Sequence, residues 1–425
     1  MSLLSEISVF SSFVNRAHHH AFSDPQTLTQ VHDIQKVVLS KKDQALIDFA
    51  KKFDGASLKK LQVNPEEVQF AYTQVSSAFL TAIKKVIQNV QTYHAYQLPQ
   101  SWLKEISPGV TYGMQYRPIQ KAGLYVPGGQ ASYPSTVVMN SIPAILAGVS
   151  DLVMTTPPQK NGNILPEILV TADLCGVHHI IKAGGAQAIF ALAYGTESVP
   201  KVDKIVGPGN KYVAAAKQSV YGLVDIDKPA GPSEVLIYVD CMDYAASAAA
   251  ELLAQIEHDP DNIGICLVNT PDLLKAVQKE VDLQFKTCSR QSILSQSLKN
   301  SGIYLTSCEE ETLTCINETA SEHLMLLTKR SDHFLPHIKH AGAIFCGPYT
   351  SVTLGDYFAG PNHVLPTGGA ARFSSPLSVL DFMKFSSVLQ YNDTALKKAA
   401  PHIKALTEIE NLDAHYLAIK KRFLS

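Results

Sequence analysis

The feature that constrains the fold most is a regular alternation of short apolar segments and helix-length segments between residues 121 and 221. Apolar segments of strand length near 121–126 and at 151–156, 179–182 and 204–206 are each followed by a glycine or proline turn and then by a segment of helix length. Parallel strands require such crossovers, because a tight hairpin joins only antiparallel neighbours. The alternation therefore predicts parallel βαβ units and a doubly wound α/β domain between about 110 and 230.

The same alternation continues from 233 to about 375 and predicts a second α/β domain. The candidate strands lie at 235–239, 264–269, 303–306, 324–328 and 342–345. Residues 1–105 and the last 50 residues instead place apolar side chains mainly at helical spacing, so we expect helices there. The expected fold class is α/β, with two α/β domains and smaller helical N- and C-terminal segments.

Composition narrows the class of protein. Hydrophobic residues make up 46% and charged residues 17% of the 425 residues, which is typical of a globular chain and not of a disordered one. A formal net charge of −2 gives no broad basic surface, so we expect no nucleic-acid partner. No apolar run is long enough for a membrane span, and we expect no signal peptide. Seven scattered cysteines without a Cys-x-x-Cys pair fit reduced thiols and a cytoplasmic location.

Glycine-rich loops follow several of the predicted strands. A strand, a glycine loop and a helix start form the usual arrangement for holding phosphate or a nucleotide. In the loop at 207–210, however, Gly207 and Gly209 are followed by Asn-Lys-Tyr, so the third glycine of the dinucleotide fingerprint is missing. From the glycines alone, tight turns without any ligand explain the loops equally well.

A polar pair marks the end of an Ala-rich helix that should begin after Asp243, as its N-cap, and run to Pro260. Gln255 and His258 are three residues apart, so they should share one face of this helix. They would lie in its last turn, where the helix macrodipole favours a cation. An isolated pair of this kind is more often a solvated helix end than half of a metal site.

Other polar groups are hard to explain structurally. Ser233 and Glu234 put a hydroxyl and a carboxylate at the entry to a strand, and Glu322 and His323 stand side by side ahead of another. An imidazole with a pKa near ~6.5 suits proton removal at neutral pH, and the carboxylate can take a second proton. Adjacent residues can address one cavity only from a turn at the end of an element. From the dipeptide alone, a surface pair is the commoner explanation.

Oxygen and nitrogen donors for a metal occur at four separated positions, Gln255, His258, Asp356 and His415. Two oxygens and two imidazole nitrogens suit Zn²⁺, with Mn²⁺ or Co²⁺ as competitors. The lack of clustered cysteines argues against a structural zinc site. Spacing alone does not show that these residues meet.

Taken together, the motifs resemble those of the histidinol dehydrogenase family. The matching segments are 123–129 (GLYVPGG), 184–188 (GGAQA), 206–210 (VGPGN), 230–235 (AGPSEV), 254–260 (AQIEHDP), 321–324 (SEHL), 355–357 (GDY), 362–369 (NHVLPTGG) and 371–375 (ARFSS). They occur in the family's order, whereas the first 100 residues match only in helical character and length. Ser321 and Pro361 stand where the family has Pro and Thr, and neither change removes a functional group.

The resemblance implies oxidation of L-histidinol through L-histidinal to L-histidine, the last step of histidine biosynthesis, with two NAD⁺. It implies one Zn²⁺ per subunit on the four donors named above, an acid/base pair at Glu322 and His323, and a homodimer with shared active sites. The implied substrate contacts are Ser233, His363 and Glu410, besides His323 and the metal ligands. The implied NAD contacts are Tyr125, Gln187 and Asn210.

The resemblance also implies a domain organisation with two Rossmann-like, incompletely doubly wound domains. Residues 1–25 would form an N-terminal helical segment, and 26–122 together with 233–375 an α/β domain that carries the zinc and acid/base residues. Residues 123–232 would bind NAD, and 376–425 would form a helical tail that contributes to the partner subunit's site.

Three alternatives remain open at this point. The closest is a homologous zinc- and NAD-dependent dehydrogenase of another small alcohol. A zinc hydrolase that uses Glu322 on a metal-bound water is a second, but it leaves the glycine loops at 184–188 and 206–210 unexplained. The third is a metal-binding protein without catalytic activity.

Overall fold

The computed structural model describes residues 2–19, 25–128, 133–228 and 231–423, with the side chains of 15–19 left out. Gly129 and Ala230, which end and begin two of the motifs above, lie outside the described residues. The chain divides into two compact units. The first comprises Met1–Gln97 and Ile119–Phe382, and the second comprises Leu98–Pro118 and Met383–Ser425.

The strands are β1 (Ser5–Glu6), β2 (Trp102–Ser107), β3 (Val110–Pro118), β4 (Lys121–Tyr125), β5 (Asp151–Thr156), β6 (His179–Lys182), β7 (Lys204–Val206), β8 (Asp225–Ile226), β9 (Glu234–Val239), β10 (Ile263–Val268), β11 (Gly302–Leu305), β12 (His323–Leu327), β13 (Ala343–Cys346) and β14 (Met383–Tyr391).

The α-helices are α1 (Phe10–His19), α2 (Pro25–Lys41), α3 (Asp43–Phe49), α4 (Pro65–Tyr72), α5 (Ser77–Ala95), α6 (Pro134–Ala147), α7 (Pro166–Leu174), α8 (Gly185–Tyr194), α9 (Lys211–Val220), α10 (Ala245–Ile256), α11 (Pro271–Phe285), α12 (Gln291–Asn300), α13 (Glu309–Thr319), α14 (Ser331–Phe334), α15 (Val352–Tyr357), α16 (Asp393–Ile409) and α17 (Asp413–Lys420). Within the described ranges, none is long and apolar enough to cross a bilayer.

One sheet of the first unit has five parallel strands in the order β6-β5-β4-β7-β8. Helices α6 to α9 supply the four crossovers between these strands. Ile181, Ile189 and Phe190 are fully buried in the core of this sheet. The strand order reverses between β4 and β7, which is the place where doubly wound sheets bind ligands beyond their carboxyl ends. The doubly wound α/β prediction for this region is confirmed.

The other sheet of the first unit has six parallel strands in the order β1-β11-β10-β9-β12-β13. Its strand order reverses between β9 and β12, where the register pairs His323 with Val235. Val235 is preceded in the sequence by Glu234, and His323 is preceded by Glu322. The two carboxyl groups therefore start from neighbouring positions at the amino ends of the adjacent strands β9 and β12. The prediction of a second α/β region is also confirmed.

The second unit contains a three-stranded antiparallel sheet in the order β14-β3-β2, together with α16 and α17. The sequence pattern did not predict β2 or β14, because only helices were expected after residue 376 and before about 105. All side chains of β2 and most of those of β14 are exposed on both faces. Strands without one buried face lack the apolar–polar alternation from which a strand is recognised.

Candidate active site

The Glu322–His323 pair lies at the start of β12, in the first unit. His323 begins the strand and Glu322 immediately precedes it. The Oε2 atom of Glu322 lies 3.5 Å from Nδ1 of His323, and both side chains are buried. The turn that enters the strand lets the two adjacent side chains reach the same interior space. Because both are buried, they do not form the solvated surface pair that the dipeptide alone favours.

The backbone of Glu234, the first residue of β9, contacts both members of this pair. Its N–H donates to Oε2 of Glu322 at 3.0 Å, and its carbonyl oxygen lies 3.2 Å from Nδ1 of His323. A carbonyl oxygen can only accept, so Nδ1 carries the hydrogen and Nε2 is left as the basic nitrogen. Sequence reasoning noted the Glu234 carboxylate but gave it no role. A charged residue that opens an otherwise apolar strand was the available signal.

Asp356 of α15 connects this pair to the predicted metal ligand Gln255 of α10. Its Oδ1 atom lies 3.5 Å from Nε2 of His323, and its Oδ2 atom accepts a hydrogen bond from Nε2 of Gln255 at 3.2 Å. The position of α15 depends on Gly355, where a Cβ would lie 2.5 Å from the ring of Phe345. Glycine therefore permits the close packing of α15 on β13 that brings Asp356 to the site.

His323 and Asp356 each stabilise the charged form of the other. Burial alone would lower the pKa of His323, but the Glu322 and Asp356 carboxylates outweigh burial and raise it to about 10. Burial alone would raise the pKa of Asp356, but the adjacent imidazolium of His323, 3.5 Å away, outweighs burial and lowers it. In the metal-free chain, His323 and Asp356 therefore form an imidazolium–carboxylate pair.

The predicted geometry of the Gln255–His258 helix is partly wrong. Helix α10 ends at Ile256, so Gln255 lies on it, whereas the exposed His258 lies in the turn that follows and does not share its face. The helix ends early because Nδ2 of Asn262 donates to the Gln255 carbonyl at 3.0 Å. The prediction that Asp243 caps this helix is also wrong, since Asp243 lies in a 3₁₀ turn and Tyr244 occupies the N-cap position.

His363 and Ser233 flank the same region. The Nδ1 atom of His363 lies 2.9 Å from the carbonyl oxygen of Asp356, and its Nε2 atom lies 3.3 Å from Oγ1 of Thr136 on α6. Burial lowers the pKa of His363, so its ring is neutral at physiological pH. Sequence reasoning did not identify Thr136. Ser233 immediately precedes Glu234, and its N–H donates to Asn262 Oδ1 at 3.0 Å.

Of the four predicted metal donors, Gln255 and Asp356 are in direct contact. His258 is exposed, and so are Glu410 and His415, which belong to the second unit. Glu410 forms the C-cap of α16, and His415 lies in the first turn of α17. Within the described part of this single chain, no group of three or more His, Cys, Asp or Glu side chains is close enough to hold a metal ion.

The three predicted NAD contacts all lie at the carboxyl edge of the five-stranded sheet. Tyr125 ends β4, and its hydroxyl accepts the Gly185 N–H at 3.1 Å. Gln187 is buried in the first turn of α8, and Asn210 caps α9 by accepting two backbone N–H groups. The N-cap residue of α8, Gly184, has no side chain with which to cap the helix. The N–H groups that follow Gly185 at this helix start thus favour an anion.

Comparisons with known proteins identify close relatives along nearly the whole chain. The sequence profile of the histidinol dehydrogenase family matches residues 17–423. The histidinol dehydrogenase of Bacillus cereus is 51% identical, over 92% of this chain and 92% of its own length. That of Halalkalibacterium halodurans is 49% identical, over 92% of this chain and 93% of its own length. The crystal structure of histidinol dehydrogenase from Elizabethkingia anophelis superposes with a TM-score of 0.93 at 36% identity, covering 100% of this chain and 98% of that one.

Proposed function

Since the chain belongs to the histidinol dehydrogenase family, we propose that it oxidises L-histidinol through L-histidinal to L-histidine, the last step of histidine biosynthesis. NAD⁺ is the proposed acceptor and takes one hydride in each oxidation, chemistry that belongs to the cofactor. The observation that carries the proposal is the cluster of the buried Glu322 and His323 with the partly buried Asp356, which unites an acid/base pair with a candidate metal ligand. The pKa values of His323 and Asp356 are both perturbed, which is typical of active-site groups.

In the first oxidation, His323 acts as the general base. The Glu234 carbonyl holds Nδ1–H, so Nε2 takes the hydroxyl proton of the substrate while hydride leaves its carbinol carbon. His323 must be neutral for this step. A cation that binds Asp356 would counteract the support that this carboxylate gives to the imidazolium form, and so would make the neutral form easier to reach.

In the second oxidation, Glu322 acts on water. Its carboxylate takes a proton from a water molecule as the water oxygen bonds to the aldehyde carbon and the π electrons of the carbonyl group move to its oxygen. The resulting tetrahedral anion then loses the second hydride to the acceptor and becomes the carboxylic acid. The Glu234 N–H, at 3.0 Å from Oε2, holds the carboxylate in place. The separate positions of Glu322 and His323 on one turn allow the two steps to use different bases at one substrate carbon.

We propose that Gln255, His258, Asp356 and His415 hold one Zn²⁺ per subunit. The donor chemistry fits, since oxygen and imidazole donors without thiolates suit a zinc site with exchangeable positions. The contact between Gln255 and Asp356, and the nearby Nε2 of His323, which has no hydrogen-bond partner among the described residues, further support it. The ion would supply positioning by binding the imidazole and amine of the substrate. Ser233, His363 and Glu410 are the remaining proposed substrate contacts.

For NAD⁺ we propose the carboxyl edge of the five-stranded sheet, with Tyr125, Gln187 and Asn210 as contacts. The start of α8 supports this, because its N-cap is a glycine and the N–H groups after Gly185 can face a phosphate. In domain terms, 123–232 would bind the nucleotide, 26–122 with 233–375 would carry the chemistry, and 1–25 and 376–425 would be smaller terminal segments. Domains of this type bind nucleotides at the switch point of the strand order.

We further propose a homodimer in which the second unit of one chain completes the site of its partner. Large apolar side chains are exposed on this unit, which supports association with a second copy. They are Phe385 (56% exposed), Leu389 (66%), Leu406 (62%), Ile409 (79%) and Leu417 (49%), among others. Glu410 and His415 belong to the same unit and are themselves exposed.

All seven cysteines are free thiols, which supports a cytoplasmic location.

The test of this function is NADH formation by the purified, zinc-loaded protein. L-histidinol should give two NADH per molecule, and other small primary alcohols should give much slower rates. If another alcohol is oxidised faster than L-histidinol, the closest alternative is correct. If no substrate reduces NAD⁺, the proposed function fails.

A further inference from the structure

Glu234 is a buried carboxyl group whose side chain the proposed chemistry leaves unused. It opens β9, a strand in which all six residues are buried and the other five are apolar or aromatic. Glu234 itself is 6% exposed. A carboxylate in such surroundings loses its hydration, and the structure must compensate for that loss or keep the group neutral.

The hydrogen bonds of Glu234 compensate poorly for a charge. Its Oε1 atom accepts one hydrogen bond, from the Gly368 N–H at 3.1 Å. Its Oε2 atom is buried and has no hydrogen-bond partner among the described residues. Glu234 also borders a small cavity whose other walls are mainly apolar, including Val14, Ile263 and Ile265. These surroundings favour the neutral acid over the carboxylate.

The neighbouring Glu322 further favours the neutral form of Glu234. The two glutamates start from adjacent positions on β9 and at the entry to β12, and the Glu234 N–H donates to Oε2 of Glu322. Glu322 also faces the imidazole of His323 at 3.5 Å, so it is the better placed of the two to carry a negative charge. Burial, followed by the charge of Glu322, raises the pKa of Glu234 to about 8, with His323 acting in the opposite direction.

We propose that Glu234 is protonated and neutral in the working site, and that this proton keeps Glu322 in the carboxylate form that accepts a proton from water. Glu234 is a positioning residue, since it acts on the substrate only through Glu322. Two adjacent carboxyl groups that hold one proton between them avoid the repulsion of two buried negative charges, and the mainly apolar surroundings of Glu234 favour that proton on Glu234. The role of Glu322 as the base for water rests on the proposed function.

The protonation state can be read without any activity measurement. Infrared difference spectra of the zinc-loaded protein should show the carbonyl stretch of a protonated carboxylic acid at neutral pH, and this band should disappear with a midpoint near pH 8. Glu234→Gln should lack the band. Glu322→Gln should keep the band but lose it at a lower pH, because the neighbouring negative charge is gone. Glu251→Gln is the matched control, since burial also raises the pKa of Glu251, and it should leave the Glu234 band in place.

The proposal is overturned if the wild-type protein shows no such band, if Glu234→Gln retains it, or if Glu322→Gln removes it at all pH values. Circular dichroism checks the folding of each variant. If Glu234→Gln does not fold, the shift between the wild type and Glu322→Gln still decides.

An activity measurement keeps this proposal and the proposed function apart. If the wild type forms no NADH from L-histidinol, the proposed function fails while the infrared result on Glu234 still stands.

Discussion

Oδ1 of Asp356 lies 3.5 Å from Nε2 of His323, within reach of an ion pair. This contact links a residue that the sequence placed among the metal ligands to one that it placed in the acid/base pair. Since Oδ2 of the same carboxylate accepts a hydrogen bond from Gln255, one side chain joins both functions. A change at Asp356 should therefore affect metal binding and proton transfer together.

The first prediction concerns His323. His323→Ala should lower turnover of L-histidinol by about 10²–10⁴-fold, as is common for loss of a general base, while the variant still binds zinc and substrate. Steady-state kinetics, with zinc content and substrate binding measured separately, check this. His32→Ala, a change at an exposed histidine of α2, is the control. Turnover within a few fold of the wild type would exclude His323 as the base.

The second prediction concerns Glu322. Glu322→Gln keeps the size of the side chain and removes the base, so the oxidation of L-histidinal should be impaired more than the oxidation of L-histidinol to the aldehyde. Single-turnover NADH formation from each substrate separates the two steps. An aldehyde step that is impaired equally or less would show that Glu322 does not activate the water.

The third prediction uses the pH dependence of stability in the metal-free protein. The pKa of His323 is raised from 6.5 to about 10, so the folded chain binds this proton more tightly than the unfolded chain. Its contribution to stability is therefore fully present below about pH 6.5 and is lost as the pH rises through about 10. In Asp356→Asn, one supporting carboxylate is gone and the pKa of His323 should be lower.

Proton NMR titration of the His323 ring in the wild type and in Asp356→Asn measures this change directly. Chemical denaturation at several pH values should show a weaker loss of stability in the variant above pH 6.5. An unchanged His323 titration in Asp356→Asn would mean that the contact carries little electrostatic coupling.

The sequence was sufficient for the parts of the fold that follow a buried, periodic pattern. The bounds of β5, β6 and β7 agree with those expected from the apolar segments, because parallel strands buried on both faces appear as continuous apolar runs. The exposed strands β2 and β14 were missed for the opposite reason. The end of α10 was misplaced because Nδ2 of Asn262, seven residues after Gln255 in the sequence, donates to the Gln255 carbonyl. In a longer helix, that carbonyl would accept a backbone N–H instead.

For the site, motif spacing identified the residues but not their geometry. The burial of Glu322 and His323 and the link through Asp356 depend on β9, β12 and α15 coming together, which no local pattern specifies. The role of Glu234 could not be inferred because the strand register decides which carboxylates become neighbours. Separated residues can be assigned to one site from sequence only through the family resemblance.

The fourth prediction concerns a buried ion pair at the five-stranded sheet. Lys217 and Asp227 form an ion pair with side chains only 3% and 2% exposed, and Asp227 also accepts the Gly207 N–H at 2.7 Å. Asp227→Asn would leave the lysine charge without its partner, which typically costs about 3–5 kcal/mol. Urea denaturation should show this loss. Asp151→Asn, which removes a half-exposed partner of Lys121, should cost about 1 kcal/mol or less.

The last prediction tests whether two chains share one site. His415→Asn and His258→Asn should each abolish activity and weaken zinc binding. If His258 of one chain and His415 of the other serve the same ion, a hybrid dimer of the two variants contains one site with both changes and one intact site. Random reassociation makes half of the dimers hybrid, so the mixture should recover roughly a quarter of the wild-type activity. Mixing His258→Asn with Gln255→Asn is the control, because both changes lie in the first unit and every hybrid site then carries one of them. If the first mixture recovers nothing after dissociation and reassociation, His415 serves its own chain and the proposed exchange of the second unit is wrong.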